Sequence, residues 1–332
     1  MDLLFSDFLG KPAWIWLGFL AVVIALLVLD LGVLHRKQRE IGVRESLAMS
    51  GYYIVLGLAF GGWVWWYLGE TAGINYITGF VVEKSLAMDN IFVIAMIFAY
   101  FAVPRVYHHR VLFWGILGVI VLRAIMIGLG AALVEQFDWV LYIFAVFLIF
   151  TGIKMWMMAE TEYDVAGSPL LRWIRRNLRV TDDLHGNRFF VKAEDPKTGR
   201  LAWFMTPLFL TLIMVEVLDI VFAVDSVPAI FAITTDPFIV YTSNIFAILG
   251  LRALYFALAA MVDRFQYLKY ALAVLLVFIG SKIFVADMLG ISKIPASISL
   301  GITFAILASG VGWSLWKTRP GAAGPASRGD VT

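Results

Sequence analysis

"VEVLDIVFAVDSVPAIFAI", residues 215–233, places Glu216, Asp219 and Asp225 inside a run otherwise apolar enough to lie in the middle of a lipid bilayer. An unpaired charge at the centre of a membrane helix costs about 2.5–3.5 kcal/mol on insertion scales and more in simulations. Three carboxylates in one such stretch need partners, and the surrounding chain can be read for what supplies them.

That surrounding chain is membrane protein throughout. Its 332 residues are 61% hydrophobic and 15% charged, with a mean hydropathy of +0.87, far from the mixture of a soluble domain. A hydrocarbon core about 30 Å thick takes roughly 20 apolar residues per helix. On that measure an all-α fold of nine spans is expected, at about 13–34, 47–69, 74–103, 111–134, 137–159, 203–234, 240–262, 266–286 and 296–316. The third and sixth are too long and carry acids at their centres, so a kink, an unwound turn or strong tilt is expected in each. The opening "MDLLFSDFLGK" lacks the basic region of a signal peptide and runs into apolar sequence, so the first helix is expected to be retained.

Basic residues set the orientation. With the N-terminus outside, the cytoplasmic segments (35–46, 104–110, 160–202, 263–269 and 317–332) hold 19 Lys and Arg, against two, Lys11 and Lys293, in all exterior segments. This asymmetry places the N-terminus out and the C-terminus in. No basic tract suggests nucleic acid. The chain has no cysteine, which excludes disulfides and thiolate metal or iron–sulfur ligation. Within the one sizeable polar insertion, 160–202, "PLLRWIRRNLR" puts Leu170, Trp173, Ile174 and Leu178 on one helical face, as an interfacial helix would. An ordinary basic loop that fixes topology accounts for the same charges.

An internal repeat organises the rest. "EKSLAMDN" (83–90) aligns with "DIVFAVDS" (219–226): an acid, an aspartate six positions later, then an amide or hydroxyl. Downstream, Arg123 in "VLRAIM" lies over Arg252 in "GLRALY", and "YIFAVFLIFTGIK" (142–154) over "YALAVLLVFIGSK" (270–282), with Tyr, Gly and Lys in register. Spans three to five thus repeat as spans six to eight. Three is odd, so the halves enter from opposite sides as inverted repeats about a pseudo-two-fold axis in the membrane plane. The expected organisation is two peripheral helices (1–73), a first repeat (74–159), a cytoplasmic loop (160–202), a second repeat (203–288), a ninth peripheral helix (289–316) and a disordered tail (317–332).

Five carboxylates lie deep in spans: Glu83, Asp89, Glu216, Asp219 and Asp225. Arg123, Arg252 and Lys84 offer three positive charges, leaving about two negative charges, the complement of one divalent cation. Glu216 and Asp219 share a helix face, whereas a spacing of six turns Asp225 away from Asp219 and separates them by about 9 Å along the axis. One helix cannot build the site; the pseudo-two-fold can, by bringing the acids of spans three and six face to face. Pro228 frees the carbonyl of Val224, and Asn90, Ser226, Ser85, Ser243 and Asn244 offer further neutral oxygens. An all-oxygen cage suits Mg, Ca or Mn, with Met88 beside Asp89 as a softer atom. All four histidines fall in expected cytoplasmic loops, away from the midplane. Arg123 and Arg252 read as counter-charges that hold the acids when the cation leaves. The bland alternative is a self-satisfied lattice of ion pairs among the acids, Arg123, Arg252, Lys154 and Lys282, although Lys154 and Lys282 sit near span ends and are expected to snorkel. Asp30 reads as a boundary residue and "WVWWY" (63–67) as an interfacial belt.

The stretches "EKSLAMDNIFVIAMIFAYFAVP", "VEVLDIVFAVDSVPAIFAITTDPFIVYTSNIFAILGLRALYF" and "LKYALAVLLVFIGSK" resemble the TerC family, and within it the Alx-like branch of bacterial inner-membrane proteins. The resemblance covers roughly spans three to eight and implies a manganese exporter, in a family also named for tellurium resistance and related to lysine-exporter-like transporters. It implies that the acids of both motifs, Glu83, Asp89, Glu216, Asp219 and Asp225, are essential, with Mn²⁺ as transported ion and no permanently bound cofactor. Expected is a secondary transporter that moves Mn²⁺ out of the cytoplasm by alternating access, coupled to protons. The alternatives are an intramembrane acid/base enzyme and a non-transporting scaffold linked to tellurium resistance. No GxGD or DGxxAR signature supports the enzyme.

Overall fold

Long apolar runs become long helices. The computed structural model describes residues 6–29, 42–158, 165, 167–194, 199–259, 264–265, 267–291 and 294–318. A minimal hairpin of β1 (Asp7–Phe8) and β2 (Lys11–Pro12) precedes α1 (Ala13–Leu29), α2 (Val43–Leu68), α3 (Glu70–Tyr100), α4 (Arg105–Gln136) and α5 (Val140–Met157). A polar lobe follows, built from α6 (Pro169–Asn177) and the antiparallel pair β3 (Phe190–Glu194) and β4 (Leu201–Met205). The chain then continues as α7 (Pro207–Phe231), α8 (Pro237–Leu249), α9 (Leu251–Leu258), α10 (Leu268–Met288) and α11 (Ala296–Lys317). Proline at the first helical position starts α6, α7 and α8, where its missing N–H costs nothing. Ser168 and Asp236 add side-chain caps to α6 and α8.

Helices stand at all nine expected places. Among the described residues six are long and apolar enough to cross a bilayer, and α8 with α9, bent by 41° at their junction, bring the number to seven when the pair is taken as one broken span. Of the other two, α1 has only 17 residues, and α3 carries Glu83, Lys84 and Asp89 in its apolar middle. Asp30 and residues 319–332 lie outside the described residues.

The expected kinks are displaced. The third and sixth spans are continuous helices, with Pro228 confined to the last turn of α7. The chain breaks in the seventh instead, at Gly250, where a Cβ would lie 2.7 Å from Lys84 Nζ and 2.9 Å from Tyr53 Cβ. Lys84 donates to the carbonyl of Ala247 at 3.0 Å, one of the groups a helix end leaves unbonded. The charge read as a counter-ion for the acids is therefore spent on the break between α8 and α9.

Packing between the two repeats is reciprocal. Helix α3 packs on α8 while α4 packs on α7, and α5 packs along α10. In this last pair a Cβ on Gly152 would come within 2.7 Å of the Ala273 carbonyl and of Val277, and a Cβ on Gly280 within 2.6 Å of the Ala145 carbonyl and 3.0 Å of Ile149. Gly152 aligns with Gly280, Ala145 with Ala273 and Ile149 with Val277 in the repeat. Each half thus makes to the other the contact it receives, with the C-terminal part of one helix against the N-terminal part of its partner. Such close antiparallel approach needs small residues, since lipid gives apolar side chains no drive to leave it.

The polar lobe corrects one reading. Leu171 and Ile174 of α6 are buried against the ends of α3, α4 and α7, whereas Trp173 is 57% exposed. The apolar face of α6 is thus turned to protein and rotated from the one expected, because Leu171, not Leu170, pairs with Ile174 three residues on.

Gly280→Ala is expected to cost about 1–3 kcal/mol by overpacking, whereas Gly301→Ala, with open space around it, leaves stability unchanged or raised. Thermal unfolding in detergent of both variants beside wild type measures the difference.

Candidate functional site

Arg123, in the middle of α4 and 1% exposed, is the hub of the polar interior. Its guanidinium donates to Glu83 of α3 through Nη1, and to Asp219 of α7 through Nε at 3.4 Å and Nη2 at 3.3 Å. Nη1 also reaches Ser226 Oγ at 2.9 Å and Asn244 Oδ1 of α8 at 3.0 Å. Asn244 closes the ring by donating from Nδ2 to Glu83 Oε2 at 3.3 Å. Glu83 and Asn244 are fully buried and Ser226 is 2% exposed, so this network lies in low dielectric, where every bond is strong and every gap costly. The flat fork of arginine suits two carboxylates arriving from different helices.

Glu83 and Asp219 are equivalent residues of the two motifs, so the acids of spans three and six do meet. Between them stands an arginine, in the place where the sequence suggested a cation. Its repeat partner behaves otherwise. Arg252, 2% exposed on α9, is placed beside His109, 3.3 Å from Nε2. The cause is the break at Gly250: the seventh span bends there by 41°, two residues before Arg252, whereas α4 runs unbroken past Arg123.

Glu216 sits one turn before Asp219 with its carboxylate against Gly118 of α4, where a Cβ would collide with it. Its Oε2 is buried and has no hydrogen-bond partner among the described residues. A cavity of about 30 Å³ beside Asp219, lined by Asn90, Gly115, Val119 and apolar side chains, has room for one or two water-sized groups.

The remaining acids are elsewhere. Asp225 lies by Thr151 and Lys154 of α5, and Lys269 of α10 acts electrostatically on Asp89. Among the described residues no three acidic or histidine side chains are grouped closely enough to hold one metal ion. The side chain of Val224 is 43% exposed. Ser85 and Ser243 bond back to their own helices, at Val81 and Ile239, both at 2.7 Å. Lys282 lines two cavities at the end of the molecule opposite the polar lobe.

Two histidines expected in a loop belong instead to the first turns of α4. His108 is buried, stacked on Phe98 at 3.9 Å, and bonded to the Val103 carbonyl at 2.9 Å and to Tyr255 Oη at 3.0 Å. Gly118 escaped the sequence reading; its one signal was a small residue five positions before the only charge of its span.

Residues 68–322 match the family described as integral membrane protein TerC family. Among curated relatives, the chain is 49% identical over 307 residues to Alx of Escherichia coli (strain K12), covering 90% of this chain and 92% of that one; Alx is named as a candidate membrane-bound redox modulator. It is 46% identical over 310 residues to an uncharacterized membrane protein of Myxococcus xanthus, covering 93% and 94%, and 48% identical over 296 residues to one of Rickettsia bellii (strain RML369-C), covering 89% and 95%. No solved structure matches the chain.

Replacing Arg123 by Gln leaves the buried Glu83 and the half-buried Asp219 uncompensated, and a loss of about 3–5 kcal/mol is expected. The triple change Arg123→Met, Glu83→Gln, Asp219→Asn removes charge from both sides and is expected to recover most of that loss. Unfolding midpoints of the two variants in detergent report the contrast.

Proposed function

Because the chain belongs to the TerC family of integral membrane proteins, we propose that it is a secondary transporter that exports Mn²⁺, or a similar hard divalent cation, across a bacterial inner membrane. The observation that carries this reading is the meeting of Glu83 and Asp219, equivalent acids of two sequence repeats, at one buried point between α3, α4, α7 and α8. A transporter that alternates access needs such a point on its pseudo-symmetry axis. The reciprocal contacts of Gly152 and Gly280 support inverted repeats, and the excess of Lys and Arg in five alternate segments supports an inward C-terminus.

In this mechanism the arrangement with Arg123 between the acids is the cation-free state. The guanidinium neutralises Glu83 and Asp219 while the site is empty, so the protein can change conformation without moving bare charge through hydrocarbon. An arriving divalent ion displaces it and takes the two carboxylates, with Asn244 Oδ1, Ser226 Oγ and Glu216 as neighbouring oxygens and Asn90 lining the same small cavity. Oxygen donors of this kind suit Mn²⁺, Mg²⁺ and Ca²⁺. With α3 and α7 running oppositely, Asp89 and Asp225 stand about 9 Å to either side of the centre, six residues along each helix. They serve as staging carboxylates on the two halves of the route, with Lys269 and Lys154 near enough to act on their charge. Proton return on the same carboxylates supplies the coupling.

Arg123 between Glu83 and Asp219 counts against the two acids sharing a proton as an acid/base enzyme's would. The redox role in the name of Alx has no thiol to act through here, since the chain has no cysteine; a redox effect would follow from the metal balance of the cell.

In vesicles holding the purified protein, Glu83→Gln and Asp219→Asn are each expected to slow Mn²⁺ flux about tenfold or more, equivalent to about 1.4 kcal/mol at the limiting barrier. Arg252→Gln, which leaves Arg123 and both acids in place, keeps most of it. Wild-type flux in the Asp219 variant, or no flux from wild type under an imposed proton gradient, would overturn the assignment.

A further inference from the structure

The polar lobe presents an apolar face that the fold leaves uncovered. In the β3–β4 pair, Phe190 lies opposite Met205, Lys192 opposite Trp203 and Glu194 opposite Leu201, so these six side chains share one face. The other face, with Val191 and Phe204, is buried. On the open face Phe190 is 44%, Trp203 62% and Leu201 77% exposed, a large apolar load for a two-stranded pair in water.

Two observations indicate what meets this face. The ring of Phe190 lies 4.4 Å from that of Phe209, in the first turn of the membrane-crossing helix α7. Phe209 precedes Ile220 by eleven residues, three helical turns, and so shares the outward stripe of α7 where Ile220 and Val224 are 37% and 43% exposed. The open face of the hairpin thus continues the surface that α7 turns to lipid. The second observation is charge. From 167 to 205 the described residues include seven Arg and Lys against three Asp and Glu, and Lys192 lies over the Trp203 ring at 5.2 Å. An amphipathic aromatic beside a cation is the composition that settles at headgroup level, and a basic lobe is drawn to anionic lipid.

We infer that the β3–β4 hairpin lies against the bilayer that holds the protein, with Trp203, Leu201 and Phe190 at the boundary of headgroup and acyl chain, and the basic lobe on anionic headgroups. The hairpin leads from the first repeat into the second, so this contact anchors the one long connection between the halves while they move.

The absence of cysteine makes a single label simple to place. Leu201→Cys, carrying a small fluorophore and held in nanodiscs of phosphatidylglycerol and phosphatidylcholine, is expected to be quenched by nitroxide-labelled lipid several times more strongly than the same label at Asp182→Cys, and to resist aqueous iodide. Quenching should fall in phosphatidylcholine alone; equal quenching there would overturn the part played by anionic lipid. A label open to iodide and untouched by nitroxide lipid would overturn the contact altogether. Self-quenching that rises with the number of copies per disc would overturn it in favour of a second chain on the same face. Thermal unfolding of the labelled protein beside wild type shows that the variant is folded.

Discussion

A guanidinium that holds two carboxylates from two helices, deep in the apolar interior, is the constraint on which the interior of this protein depends. Glu83, Arg123 and Asp219 are each costly in hydrocarbon, and none could be kept there by its own helix. Bound together they fix α3, α4 and α7 at one point, and Asn244 ties α8 to the same point. The arrangement favours a unique packing more than it favours raw stability, because an apolar core of the same shape would carry no desolvation cost.

Around that point the two aligned segments, 74–159 and 203–288, make matching contacts and differ in charge. Gly152 and Gly280 exchange equivalent contacts across α5 and α10, and α3 with α8 mirrors α4 with α7. The symmetry stops at the arginines. Arg123 faces the acids from an unbroken helix, while Arg252 follows the bend at Gly250 to His109. With one cation serving two equivalent acids, the centre is asymmetric by construction.

Much of this was legible in the sequence. The nine helix positions follow from apolar runs of bilayer length, and the repeat from matched motifs, since both depend on local composition. The approach of Glu83 to Asp219 was expected because the two acids open matched motifs, one in each aligned segment. The fate of individual side chains was less accessible. Lys84 has the same formal charge as Arg123 and lies next to Glu83, yet it caps a break in another helix. Asp89 and Asp225 belong to the same motifs as Glu83 and Asp219, yet Lys269 of α10 acts on the one and Thr151 of α5 lies by the other.

The sequence by itself determined that the chain is a membrane protein of long helices, that two motifs of like pattern recur in it, and that acids within its apolar runs outnumber the mid-run bases. Those properties reside in composition, period and count, which are fixed before the chain folds. Only the tertiary structure decided that Arg123 stands between the acids, that Glu216 rests against Gly118, and that the seventh span and not the third or sixth is broken. Each of these depends on the rotation of one helix about its axis relative to a neighbour distant in sequence. That angle is set by packing at surfaces such as Gly152 on Ala273, and no local pattern records it.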